Sequence, residues 1–155
     1  MLNDERHNEF TYDWNAVQLR YCDGMAFAAN ASEPYLVTDG GPGNGTYIWL
    51  RGYQNLHSTF AHLIANDNLG SATEVITNGA SAGGHATYLH ADRISDWVHS
   101  ANTAAGKPAA TIVSLPDSGF WRVELHRGST ARTLLEERTV FLPFFYISRG
   151  PLESS

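Results

Sequence analysis

Thr73-Glu74-Val75-Ile76-Thr77-Asn78-Gly79-Ala80-Ser81-Ala82-Gly83-Gly84 decides the fold of this chain. An apolar, β-branched run meets a collar of small residues, and a helix-spaced segment follows, so the pattern reads as strand, sharp turn, helix. Gly79-Ala80-Ser81-Ala82-Gly83 has the form G-x-S-x-G, in which a serine is held on a tight strand-to-helix turn and its neighbours must be small because backbone packs against them. Such a turn exposes the hydroxyl. Ser81 is therefore the candidate nucleophile. The turn also aims the N–H of the next residue, Ala82, at the oxygen of a tetrahedral intermediate, and the helix N-terminus adds positive potential there.

Outward from this turn, the chain alternates short strands with helical stripes. Upstream, Ala16 to Tyr21 alternates as a strand and ends at Cys22-Asp23-Gly24. Residues 30–45 read as loop, and Thr46 to Leu50 as a short strand. Leu56, Phe60, Leu63 and Ile64 form one helical stripe that stops near residues 66–70. Downstream of Ser81, Ala82, Ala86 and Leu89 form a stripe, and Ile94, Trp97, Val98 and Ala101 a second, offset one, which predicts a break or bend near Ala91-Asp92. Ala109 to Leu115 reads as the next buried strand, closed by Pro116-Asp117-Ser118-Gly119. Strands separated by helices imply crossover connections, hence an α/β fold with a mostly parallel sheet and flanking helices. Past Glu124 the pattern weakens, with a polar stretch at 127–138 and an apolar run at 139–147 that holds a proline.

The 155 residues suffice for one domain with a real core, and 43% hydrophobic content fits a globular protein. Ten Lys and Arg residues against a net charge of −6 give no basic face for a phosphate backbone, so no nucleic-acid partner is expected. No apolar run reaches the ~20 residues of a membrane span, and the polar start at Met1-Leu2-Asn3-Asp4-Glu5-Arg6 is no signal peptide. The lone Cys22 points to a reducing compartment, whereas the sequons at Asn30 and Asn44 point the other way.

Four ordered blocks together resemble the pectin acetylesterase/Notum family: Asp13 to Gly24, Leu50-Arg51-Gly52, the Ser81 turn with Tyr88-Leu89-His90-Ala91-Asp92-Arg93, and Asp117-Ser118-Gly119-Phe120. The resemblance covers residues 10–123 and implies a partial α/β-hydrolase domain over 1–123 with a divergent tail over 124–155. It further implies a secreted serine carboxylesterase, without cofactor or metal, that deacetylates polysaccharide esters through an acyl-enzyme on Ser81, with Ala82 at the oxyanion position. The block around Arg20-Tyr21-Cys22-Asp23-Gly24 looks more like the pectin acetylesterase branch than the lipid-deacylating one. Two positions that commonly hold cysteine in plant members are Ala80 and Ala91 here. The family's Gly-rich oxyanion loop precedes the Asp13 block, and its catalytic Asp and His follow the Asp117 block, so none of the three is carried over. The chain is accordingly expected to be the middle of a larger hydrolase and inactive alone. The alternatives are a catalytically dead remnant and a Notum-like protein or lipid deacylase.

Within these residues the one triad in hydrolase order is Ser81, Asp117, His126. Only nine residues separate the last two, with no strand to bring His126 back, so Asp117 is expected to serve a turn and His126 to face solvent. His85, four residues along the helix from Ser81, is expected on the helix surface. His90 and Asp92 are two potential ligands, fewer than a metal site needs, and local hydrogen bonding at the helix break is expected of them. Asp39-Gly40-Gly41-Pro42-Gly43 reads as a surface loop. Of Trp14, Trp49, Trp97 and Trp121, at least three are expected to pack in the core rather than stack on sugar rings.

Overall fold

Hydrophobic spacing of 3.6 along two helices and β-branched runs between them generate a small α/β unit. A computed structural model describes Arg6, residues 8–38 and 45–119, and the backbone of 144–147. The elements are β1 (Asn15–Gln18), β2 (Tyr35–Thr38), β3 (Gly45–Ile48), α1 (Gly52–Asn66), a 3-10 turn (Leu69–Ser71), β4 (Glu74–Ala80), α2 (Ala82–Ala104), β5 (Thr111–Asp117) and β6 (Phe144–Ile147). The main sheet runs β1-β6-β4-β5, and β2 and β3 form a separate antiparallel pair.

The mostly parallel sheet expected from the sequence is not what the described residues form. β4 and β5 are parallel over seven residue pairs, from Glu74↔Thr111 to Ala80↔Asp117, joined by the α2 crossover. β6 runs antiparallel to both neighbours, pairing Gln18↔Phe144 on one side and Asn78↔Phe144 on the other. Only the β4–β5 pair has a described helical crossover, which requires the parallel direction. β1 and β4 consequently point the same way, two strand spacings apart.

The core is small and well defined. Leu56, Phe60 and Leu63 of α1 are buried at i, i+4 and i+7, and they join Leu19, Phe27, Leu69, Val75, Ala86, Ile94 and Val98 in one cluster. Ile64 falls off the α1 stripe and is 36% exposed. α1 lacks a side-chain cap at Arg51. Arg51 instead donates to the carbonyls of Ala31 (3.2 Å) and Ser32 (3.1 Å) and lies 4.0 Å over the Trp49 ring, which ties the helix start to the preceding loop.

Three further expectations are corrected. α2 is one unbroken helix of 23 residues, with no break at Ala91-Asp92. Its buried face runs Gly83, Ala86, Thr87, His90, Ile94, Val98, Ala101, Asn102, so the stripe is continuous once polar residues are included, and Leu89 points to solvent. The stretch read as loop at 30–45 contains β2, whose four residues are all exposed and gave no burial pattern. β5 is not fully buried: Ile112 is partly covered, whereas Val113 and Leu115 are exposed, because β5 is the outer strand of the described sheet.

Asn102, wholly buried, fastens the far end of α2. Its Nδ2 donates to the carbonyls of Gly70 (2.9 Å) and Ala72 (3.1 Å), and its Oδ1 accepts the Ala110 N–H (2.9 Å). Three buried backbone groups around the β4 and β5 starts are thereby satisfied.

Candidate active site

β4 delivers the chain to Ser81 and α2 leaves from it. Ser81 is the residue before the first turn of α2, with φ 55° and ψ −118°, a conformation that L-residues seldom adopt. Its backbone N–H donates to the Asp117 carbonyl (2.9 Å), and its own carbonyl accepts the His85 N–H (2.9 Å) as the first bond of the helix. The small-residue collar has a direct cause. A Cβ on Gly79 would meet the backbone of Gly83, and one on Gly84 would meet the Asp117 carbonyl and the backbone of Gly119. The turn can close only because those side chains are absent.

The result is a half-buried serine at the carboxyl end of a strand, against a helix N-terminus. The first-turn N–H groups of α2, beginning with Ala82, have no intrahelical acceptor and carry the positive end of the helix dipole. An anion forming over Ser81 meets favourable potential there. Ser81 Oγ makes no hydrogen bond among the described residues. His85 shares the helix through a backbone bond and is half-buried.

Asp117 ends β5 beside the turn, and its Oδ1 accepts a bond from Ser118 Oγ (3.0 Å). Ser118 has φ 52°, so the two parallel strands both end in a strained serine at adjacent register positions. His126 and the glycine stretch 39–43 lie outside the described residues, as does Trp121. Trp97 packs against Phe60 with ring centroids 5.5 Å apart, Trp14 is partly buried, and Trp49 is half exposed beneath Arg51.

His90 does not hydrogen-bond locally at a helix break. Buried on α2, its Nε2 lies 3.2 Å from the Ala26 carbonyl, 64 residues away in sequence. Ala26 N–H donates to Tyr21 Oη (2.8 Å). These two bonds hold a strained turn in which Ala26 (φ 50°) and Phe27 (φ 55°) are both left-handed. The buried Asp23 carboxylate lies in the same region, and its field acts on His90. Burial lowers the His90 pKa below 6.5, the Ala26 bond and Asp23 opposing that shift and Arg93 adding to it. The sequence signal for this cross-link was present as a polar residue at a core spacing, which an apolar count passes over. Among the described residues no three His, Cys, Asp or Glu side chains gather as metal ligands, and no helix is long and apolar enough to cross a membrane.

A serine on a strained strand-to-helix turn, walled by glycines that leave no room for a Cβ, has the geometry in which nucleophile elbows are built. Residues 1–137 match the pectinacetylesterase family model, and the chain belongs to that family. It is 30% identical to pectin acetylesterase 5 of Arabidopsis thaliana over 96 residues, which is 62% of this chain and 21% of that relative. It is 28% identical to Arabidopsis pectin acetylesterase 4 over 120 residues, 77% of this chain and 25% of the relative. The chain thus spans about a quarter or less of the curated relatives it matches. No solved structure matches it. β6 lies beyond the matched residues.

Proposed function

We propose that this chain carries the nucleophile segment of a secreted serine carboxylesterase that removes acetyl groups from polysaccharide. The observation that carries the reading is the Ser81 turn, with φ 55° and ψ −118° at the carboxyl end of β4 and the start of α2. In the reaction, Ser81 Oγ attacks the acyl carbonyl while a base takes its proton. The intermediate's O⁻ accepts the Ala82 N–H, and collapse expels the sugar alcohol, which takes up the proton. Water then attacks the acyl-enzyme and releases acetate. In the whole protein, an α/β-hydrolase sheet, mostly parallel, is the frame in which a turn of this form carries its serine.

Ser81 Oγ has no histidine partner among the described residues. A serine without its base retains only the help of binding and oxyanion donors, so the chain alone is expected to turn over little substrate. The test adds imidazole as an external base to the purified chain and to Ser81→Ala, with a chromogenic acetyl ester. Imidazole-dependent hydrolysis above the Ser81→Ala background is expected. Equal rates in both proteins would overturn the nucleophile assignment and favour the second reading, a chain that only binds, to which an Oγ without a partner among the described residues lends weight. Turnover of long-chain esters in preference to acetyl esters would move the substrate to a lipid or protein acyl group.

A further inference from the structure

We propose that Asn30 and Asn44 are N-glycan acceptors, and that the sugars they carry cover the uncharged β2–β3 pair. The proposal rests on the secreted reading for its compartment, and on the segment 29–50 itself for its sites.

Both asparagines open sequons, Asn30-Ala31-Ser32 and Asn44-Gly45-Thr46. The first triplet gains weight from where it stands. The Ala29 carbonyl accepts the Tyr53 N–H (2.9 Å), and the Ala31 N–H donates to the Leu50 carbonyl (2.9 Å), so the residues on either side of Asn30 are fastened at the start of α1. Ala29 and Ala31 are half-buried there, and Asn30 and Ser32, alternating with them, are exposed. The Arg51 guanidinium, bonded to the Ala31 and Ser32 carbonyls, fixes the second half of the triplet. Among the described residues neither the Asn30 amide nor the Ser32 hydroxyl has a partner. A firmly held loop thus presents to solvent an amide and, two residues on, a hydroxyl, the two groups that define a glycan acceptor. In the transfer, Asn30 Nδ2 bonds to the anomeric carbon of an oligosaccharide carried on a polyprenyl diphosphate. The sugar–phosphate C–O bond breaks, and the diphosphate leaves with its electron pair and takes up the amide proton.

The strand pair supplies an independent observation. Tyr35, Leu36, Val37, Tyr47, Ile48 and Trp49 are each between 39% and 64% exposed, and neither strand holds a charged residue. Contiguous apolar surface of this kind marks a face that something covers, and a strand edge without charge invites pairing with another chain. Two strands by themselves are marginal in water. The sequons bracket the pair. The Ala31 to Leu50 bond brings Asn30 to the end where Tyr35 meets Ile48. β3 begins at the other end, where Gly45 meets Thr38, and its Thr46, the hydroxyl residue of the second sequon, is exposed. Asn44 itself lies outside the described residues. An N-glycan is bulky and solubilising, so one at each sequon supplies the cover and edge protection that these side chains lack.

The test expresses the whole chain with a cleavable secretion leader in yeast, beside protein recovered from its natural source. Peptide N-glycosidase in heavy-oxygen water, followed by peptide mass mapping, is expected to find labelled aspartate at positions 30 and 44 in both. Asn30→Gln and Asn44→Gln should each remove one glycan step on a gel. An unmodified asparagine in the leader-directed chain would overturn that site, whereas modification there but not in the natural protein would overturn the secreted reading instead. For the cover, the glycosylated chain is expected to sediment as a monomer. Enzymatic deglycosylation is expected to raise apolar-dye binding and self-association, and Tyr47→Thr to undo both, with circular dichroism reporting that the variant is folded. Unchanged dye binding after deglycosylation would overturn the cover, and a dimer that keeps its glycans would give the strand pair to a second copy. None of these readouts needs turnover, so they stand or fall apart from Ser81-dependent hydrolysis.

Discussion

The carbonyl of Asp117 accepts the Ser81 N–H at 2.9 Å, so the last residue of β5 holds the turn at the end of β4. Gly84 packs on that same carbonyl, with Gly119 behind it. One backbone group thus joins Ser81, the start of α2 and the 117–119 loop.

Gly84→Ala separates this constraint from helix propensity. In an open helix the change gains up to about 1 kcal/mol. Here the new Cβ meets backbone that cannot swing away, and overpacking costs of about 1–3 kcal/mol apply. A net loss of about 1–2 kcal/mol in urea unfolding is expected. A variant as stable as wild type would show that the turn is looser than described.

Asn102→Ala should be among the most destabilising single changes. It strips partners from the Gly70 and Ala72 carbonyls and the Ala110 N–H, all around a fully buried side chain. Leaving such groups unpaired costs about 1–3 kcal/mol each, and a total loss of about 3 kcal/mol is expected from denaturant midpoints. A loss below about 1 kcal/mol would mean that water replaces the amide.

What the sequence made legible was local. The Ser81 turn, α1 and the β4 and β5 strands each carry their signal within a dozen residues, as a small-residue collar or a repeating apolar spacing. The single helix α2 was hidden because Thr87, His90 and Asn102 occupy its buried face as polar residues, so an apolar stripe appeared to stop and restart. The β2–β3 pair was half hidden because β2 buries nothing. β6 was illegible as an inner strand, since its place depends on pairing with Gln18 and Asn78, more than sixty residues upstream. The candidate site divides similarly: the sharp turn at Ser81 follows from the motif, while the Asp117 carbonyl contact and the His90 to Ala26 link are long-range.

Stability should depend on pH through His90. Burial lowers its folded pKa below the ordinary 6.5, so between the folded value and 6.5 the unfolded chain binds more protons than the folded one. Stability is therefore full above pH 6.5 and declines as pH falls through that window. The groups acting on His90 are Asp23 and Arg93, beside the Ala26 and Phe27 backbone. His90→Gln keeps a donor for Ala26 and removes the titration, so its stability curve between pH 5 and 7 should be flatter. Parallel curves for the two proteins would assign the pH dependence elsewhere.

A proline at Tyr146 tests the inner position of β6. The residue faces Ala16 on one side and Ile76 on the other, and proline removes the N–H from the ladder and crowds a neighbouring strand. A loss of about 3 kcal/mol or more is expected for an interior strand. Hydrogen exchange should quicken in β1 and β4 together. Unchanged exchange in either strand would take β6 out of the sheet.

Ser81→Gly should make the protein more stable than wild type. A non-glycine residue at φ 55° and ψ −118° stores about 1–3 kcal/mol of backbone strain, which glycine relieves because it has no Cβ to clash. Greater freedom of the unfolded glycine chain returns about 0.4–1 kcal/mol of that gain, leaving an expected net gain of about 1 kcal/mol. Ser81→Ala keeps the strain while losing the hydroxyl and should match wild type. The pair of variants therefore separates conformation from chemistry: a turn that favours glycine yet carries serine is one whose hydroxyl is retained against stability. Equal stability of Ser81→Gly and Ser81→Ala in thermal unfolding would show that the turn is unstrained, and would withdraw that support from the nucleophile assignment.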